Sequence, residues 1–290
     1  MGDDAYQGAD QAKRRASSMS ETDFSDIDPM EIGKDELGNT PHRCRFVIVT
    51  QPRSGSYHLA SLLDSAPDIT CLGEIYKPER VELPPRLAEA TGFGPGDFAL
   101  RDAHPEAYLA ALLESCDSPV FGFKEFASRL TRTGIGKVTL RARRWQKVVL
   151  TRNPIRKYVS LHRARETGSF TKRQDGARPQ DNAVVRFDPR LFEDVLAQDT
   201  RFRAGMQALK ERRPLRVMMI DYREVNDTAK LAQVLGFIRS DADAASLQSS
   251  YFRQNPVALE DSIEDYAAMA RYMSENGHEA LLDDALHPDA

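Results

Sequence analysis

Apolar runs and polar turns alternate along this chain in a strand–helix rhythm. Phe46-Val47-Ile48-Val49 is apolar at every position, the pattern of a strand covered on both faces. A polar turn, Gln51-Pro52-Arg53-Ser54-Gly55-Ser56, follows it. Leu59, Leu62 and Leu63 then recur at helical spacing. Ile69-Thr70-Cys71 reads as a short strand. Residues 83–100 carry Pro84, Pro85, Gly92, Gly94, Pro95 and Gly96, so mostly loop is expected there. Residues 105–116 place Tyr108, Leu109, Leu112 and Leu113 on one helical face, and 120–124 read as a strand. Residues 138–145 predict a short basic helix.

The second half repeats the rhythm. Val148-Val149-Leu150 is a strand, Thr151-Arg152-Asn153 a turn, and Pro154 opens a helix at its first position with Asn153 as N-cap. Residues 168–188 are polar and basic with few apolar anchors, which predicts a mobile loop able to act as a lid. Residues 192–209 form a helix with Phe192, Val195, Leu196, Phe202, Met206 and Leu209 inward. Residues 215–220 form a buried strand, 227–235 a helix closed by Gly236, and 261–273 a last helix. Strands alternating with helices imply the α/β class: a mostly parallel sheet flanked by helices. No internal repeat is found.

At 290 residues the chain suits one domain with additions. Residues 1–42 are polar and without period, so they read as a disordered leader, with a single domain over 43–290. No apolar run reaches the ~18–20 residues a membrane helix needs. The start is acidic and polar, unlike a secretory signal. Tyr6 at the sixth position does not fit a myristoylation motif. Cys44, Cys71 and Cys116 are an odd, scattered set that fits buried thiols in a reducing compartment, the cytoplasm. Net charge is −4, but twelve lysines and arginines between Arg141 and Arg178 face only Glu166 and Asp175. A basic centre in an acidic chain points to a local anionic ligand and away from nucleic acid. Most of those cations are expected to be solvated, Arg152 excepted.

The first turn is the chemical centre of the sequence. A Gly/Ser turn at a helix N-terminus offers several unpaired backbone N–H groups to one anion. Arg53 adds a full positive charge, and Ser54 and Ser56 add hydroxyl donors. There is no G-x-x-x-x-G-K-[ST], which disfavours an ATP-using P-loop enzyme. No His, Cys and carboxylate cluster has metal spacing. Asp241-Ala242-Asp243 reads as a solvated turn.

The segments PRSGS and TRNPIRKYVS together resemble the two cofactor loops of PAPS-dependent sulfotransferases, enzymes that use 3′-phosphoadenosine 5′-phosphosulfate. The resemblance covers roughly 46–236, with a weak extension to about Tyr272. It implies the P-loop-like sulfotransferase fold and PAPS as cofactor, with no metal. It implies that Arg53, Ser54, Gly55, Ser56 and Tyr57 grip the phosphosulfate, and that Arg152 and Ser160, eight residues apart, hold the 3′-phosphate. Arg253 in YFRQNP loosely resembles the late loop that closes over the adenosine. GFK at Lys124 is also similar to segments of related enzymes, although a snorkelling strand-end lysine accounts for it as well.

Sulfuryl transfer demands an in-line geometry, a neutralised bridging oxygen and a base for the acceptor hydroxyl. Arg53 fits the second demand. Glu74, just after the second strand, is the first candidate base, at the edge where open α/β sheets bind ligands. His58 ranks second, and His104 and His162 are further rivals. The expected acceptor is a hydroxyl of a sugar-containing or other small metabolite. Two alternatives stay open: a non-catalytic nucleotide-binding protein on the same fold, and a degenerate P-loop kinase. Oligomeric state is not readable from this sequence.

Overall fold

The computed structural model describes residues 41–167, 184–251 and 258–286. Five strands form a sheet: β1 (Cys44–Thr50), β2 (Ile69–Leu72), β3 (Val120–Phe126), β4 (Trp145–Thr151) and β5 (Val217–Asp221). Their order across the sheet is β2-β3-β1-β4-β5, and every pairing is parallel. All five C-termini therefore share one edge. Helices cover both faces, as a parallel sheet requires.

β1 shows why its sequence is apolar throughout. Val47 and Val49 enter one core cluster with Tyr108, Leu112 and Trp145, while Phe46 and Ile48 enter another with Leu59, Leu63 and Ile220. The alternation of side chains places successive residues in separate cores. A Cβ on Gly122 of β3 would lie 2.3 Å from the Phe46 ring, so this neighbour strand needs glycine at that point. Trp145, at the head of β4, is wholly buried and meets Phe123 edge-on at 5.6 Å. A third cluster joins the Pro154–Thr167 helix to the Pro189–Arg212 helix and the C-terminal helices through Tyr158, Phe192, Met269 and Met273.

Several boundaries differ from the sequence reading. Residues 83–100 hold two helices, Pro85–Thr91 and Phe98–Ala103. Pro84 and Pro85 open the first and Gly92, at φ 73°, closes it, so the residues read as loop punctuation are helix ends. The expected basic helix over 138–145 shrinks to Gly136–Thr139, because Trp145 belongs to β4. Leu215 is 84% exposed in the turn before β5 rather than buried in it. Gly236 lies inside the Thr228–Phe237 helix, which Asp227 caps at its start. The last expected helix begins later, at Tyr266, after a 3-10 turn at Glu260–Ser262.

His42, read as leader, is tied to the domain: its ring nitrogens lie 2.7 Å from Ser118 O and 2.8 Å from Leu113 O. The rest of the expected leader, residues 168–183 of the loop expected over 168–188, and Arg253 lie outside the described residues. All three cysteines are free and buried. Among the described residues no helix is long and apolar enough to cross a membrane, and no group of three or more His, Cys, Asp or Glu could hold a metal.

Candidate active site

The turn after β1 sits at the C-terminal edge of the sheet. Gly55 is the N-cap of the Ser56–Asp64 helix at φ 76°, with no side-chain cap; its carbonyl accepts from His58 N at 3.0 Å, so the N–H groups ahead of it, those of Ser56 and Tyr57, lack an acceptor within the helix. A Cβ on Gly55 would lie 2.0 Å from the Tyr222 ring, so glycine is needed for space as well as for backbone conformation. Arg53 also takes a left-handed backbone, φ 66°. A non-glycine residue held there costs about 1–3 kcal/mol and persists only where its surroundings fix it.

Those surroundings come from the second loop. The Arg53 guanidinium donates to Ser160 Oγ from Nε at 3.0 Å and from Nη2 at 2.8 Å. Arg152 Nη1 donates back to the Arg53 carbonyl at 3.2 Å. The Arg152 guanidinium also lies 4.4 Å over the Tyr222 ring. The two loops, about a hundred residues apart in sequence, thus form one cradle. Ser54, Ser56, Arg152 and Ser160 are buried in it. Its side chains are hydroxyls and guanidiniums, a donor set that fits a phosphate or sulfate group. Asn153 caps the Pro154–Thr167 helix as expected, its Oδ1 accepting from Ile155 N at 2.8 Å.

A buried strut supports the cradle from below. Lys157 Nζ donates to Asp199 Oδ1 at 2.8 Å and to Gln51 Oε1. Asp199 Oδ2 accepts from Arg203 Nε at 2.5 Å, and Arg203 Nη2 donates to the Arg152 carbonyl at 2.9 Å. Gln51 and Arg152, which flank the two loops, are thereby tied to one buried carboxylate. Sequence reasoning missed this strut. Its signal was Asp199, a charge in the inward stripe Val195, Phe202, Met206. The basic stretch is also less solvated than expected: Lys147, Arg156, Lys157 and Arg163 are buried together with Arg152.

On the other side of the Ser56–Asp64 helix lies a cleft of about 790 Å³. Tyr57, Asp64, Glu74, Lys77 and Tyr251 are among the residues that line it. β2 ends at Leu72, paired with Phe123, so Lys124 and Glu125 of β3 extend beyond it. Glu74 fills the space beside them. Its Oε1 accepts from Lys124 Nζ, and its Oε2 accepts from Arg129 Nη1 at 2.7 Å. Burial pushes the Glu74 carboxyl up, but the charges and hydrogen bonds of Lys124 and Arg129 outweigh it and hold the group below the ordinary glutamate value. Burial pulls Lys124 down against the opposing charges of Glu74 and Glu125. Lys124 is 1% exposed and sits 4.3 Å from the Tyr57 ring centre, so it does not snorkel to solvent. Burial, then the nearby Glu74 charge, raises Tyr57 and keeps its phenol protonated.

Of the residues singled out by sequence, Arg53, Ser54, Gly55, Ser56, Arg152 and Ser160 come together in the cradle. Glu74 and Tyr57 meet at the cleft. His58 does not join them. Its Nδ1 lies 2.8 Å from Ser249 Oγ and its Nε2 lies 2.8 Å from Asn226 Oδ1. His162 lies near Glu166 on the Pro154–Thr167 helix, and His104 ends a helix at the surface.

No protein-family model matches the chain. Nodulation protein H of Rhizobium tropici is 25% identical to it over 253 residues, 84% of this chain and 95% of that protein. Mouse sulfotransferase SULT7A1 complexed with PAP covers 88% of this chain and 91% of its own, at 12% identity and a TM-score of 0.44. Sulfotransferase STF9 from Mycobacterium avium covers 90% and 80%, at 14% identity and a TM-score of 0.44. Superposition at this level is loose, and residue roles do not transfer across it. The chain is similar to PAPS-dependent sulfotransferases, as its two loops imply, and its fold is the α/β parallel sheet expected from the strand–helix rhythm.

Proposed function

We infer that the protein is a PAPS-dependent sulfotransferase that transfers a sulfuryl group to a hydroxyl of a sugar-containing or other small hydroxylated metabolite. The observation that carries this reading is the fusion of the two loops: Arg53 bonds Ser160 through two nitrogens, and Arg152 bonds the Arg53 carbonyl. A single ligand bearing two separated anionic groups would engage both loops, and PAPS has that form. It would supply the sulfuryl group. Arg53 and the N–H groups at the start of the Ser56–Asp64 helix would neutralise charge on the bridging oxygen. Arg152 and Ser160 would hold the 3′-phosphate.

The acceptor enters the cleft beside Tyr57 in this reading. Its walls combine tyrosine faces with charged side chains, a surface suited to a polar hydroxylated acceptor. Glu74 takes the proton from the acceptor hydroxyl as it attacks. Lys124 and Arg129 keep Glu74 ionised, ready to accept. His58, bonded to Asn226 and Ser249, has no part in the transfer. A cytoplasmic location agrees with free thiols at all three cysteines.

Calorimetric titration of PAP tests this reading. Binding by the wild type, clearly weakened in Arg152→Ala and kept in Glu74→Ala, is the expected result. A well-folded wild type that does not bind PAP overturns it and directs the search to ATP.

A further inference from the structure

Arg129 stands outside every motif above, yet it is the link between two buried carboxylates. Its Nη1 donates to Glu74 Oε2 at 2.7 Å and to Glu125 Oε1 at 2.8 Å. Glu125 is wholly buried and fully engaged. Its Oε2 accepts from Tyr76 N at 3.0 Å, and its Oε1 also accepts from Phe126 N at 2.9 Å. Lys124 and Glu125 are consecutive in β3, so their side chains leave opposite faces of the sheet. Arg129, on the short helix Ala127–Arg132, curls over the strand end and gathers both faces into one network. The guanidinium lies 5.0 Å over the Phe126 ring, which limits its freedom.

We propose that Arg129, anchored by Glu125, is a positioning residue that fixes the Glu74 carboxylate in the wall of the cleft and keeps it ionised there. The proposal rests on the reading of Glu74 as general base. Its logic is charge balance. Glu74 and Glu125 face Lys124 and Arg129, two carboxyl groups against two cationic groups, with side chains at most 11% exposed. Lys124 alone cannot satisfy both carboxylates. An unpaired buried carboxylate takes up a proton rather than stay charged, and a protonated Glu74 cannot act as base. Anchoring Arg129 on Glu125 also leaves the position of Glu74 independent of an incoming acceptor. The groups facing Glu74 are Lys124 from β3, Arg129 and Glu125 at its end, and Tyr57 from the Ser56–Asp64 helix. Asp64, Lys77, Arg80 and Glu82 stand in the same cleft wall.

The test is a carbon-13 NMR titration of protein labelled at the glutamate carboxyl carbons. The Glu74 resonance is identified by its loss in Glu74→Gln. Arg129→Gln should raise the Glu74 pKa by about 1 unit or more. Arg129→Lys keeps the charge but is too short to span both carboxylates, so it should raise it part of the way. A Glu74 titration that neither variant moves overturns the proposal, even if both variants lose thermal stability. If Arg129→Gln fails to fold, Arg129→Lys decides alone. Sulfuryl transfer by Glu74→Gln is measured beside it. Transfer lost while PAP still binds upholds Glu74 as base, so an unmoved titration then removes only the role given to Arg129. Transfer kept at the wild-type rate overturns both readings.

Discussion

The two halves of the sheet edge are built on opposite electrostatic plans. At β1 and β4 the cradle presents guanidiniums and hydroxyls, and the carboxylate of Asp199 is turned away into a strut. At β2 and β3 the cleft wall is balanced, two carboxylates against two cations. The first plan suits a ligand that brings its own negative charge. The second suits a carboxylate that must stay ionised in a buried site until a proton reaches it. In the proposed reading, one edge of one sheet therefore separates the holding of an anion from the handling of a proton.

Exchanging or removing charges on either side should break this contrast in different ways. The largest effect is expected from Glu74→Gln. It should lower sulfuryl transfer by about 10²–10⁴-fold and leave PAP affinity unchanged, measured by turnover and calorimetry on the same preparation. Asp199→Ala should come next, because it leaves Lys157 buried without its partner. A loss of about 3–5 kcal/mol in unfolding free energy is expected, read by denaturant titration, together with weaker PAP binding as Gln51 and Arg152 lose their support. Arg152→Ala should weaken PAP binding by about 10–100-fold, the worth of a charge-assisted hydrogen bond of roughly 1.5–3 kcal/mol. The fold should survive that change.

The last effect is a pH dependence away from the site. Lys147 is wholly buried at the start of β4, its Nζ donating to the carbonyls of Ala142 and Trp145 at 2.7 and 2.9 Å. Burial, and then Arg213 and Arg216, push it down to about 7. Its folded pKa lies below the ordinary lysine value, so between about pH 7 and the unfolded value the unfolded chain binds more protons. Stability from this group therefore rises with pH across that window. In Lys147→Met that slope should vanish in melting curves taken from pH 6 to 9. An equal slope in wild type and variant would exclude Lys147 as its source.

The cradle was legible in the sequence because its parts are local. Pro-Arg-Ser-Gly-Ser after an apolar strand needs only a parallel sheet to face a ligand, and Asn153-Pro154 fixes where the second helix starts. Ser160 follows two turns later on that helix. The cleft was legible only through Glu74, since its partners come from another strand and a short helix. FKEFASR holds Lys124, Glu125 and Arg129, but nothing in seven residues says that β2 stops short and leaves them a gap. The helices within 83–100 were hidden for a different reason. Proline at a first turn and glycine just past a last turn are helix signals as well as loop signals. Only packing, such as Leu87 in the core beside Tyr108, separates the two.

Trp145 is the sole tryptophan of the chain. It sits at one end of β4 and Arg152 just past the other, seven residues on, which is roughly 23 Å of extended strand. Its indole emission therefore answers to the integrity of the central core and stays dark to whatever occupies the cradle. The molecule carries its own internal optical gauge of folding, and a variant that loses ligand affinity with that fluorescence unaltered has been damaged only at the edge.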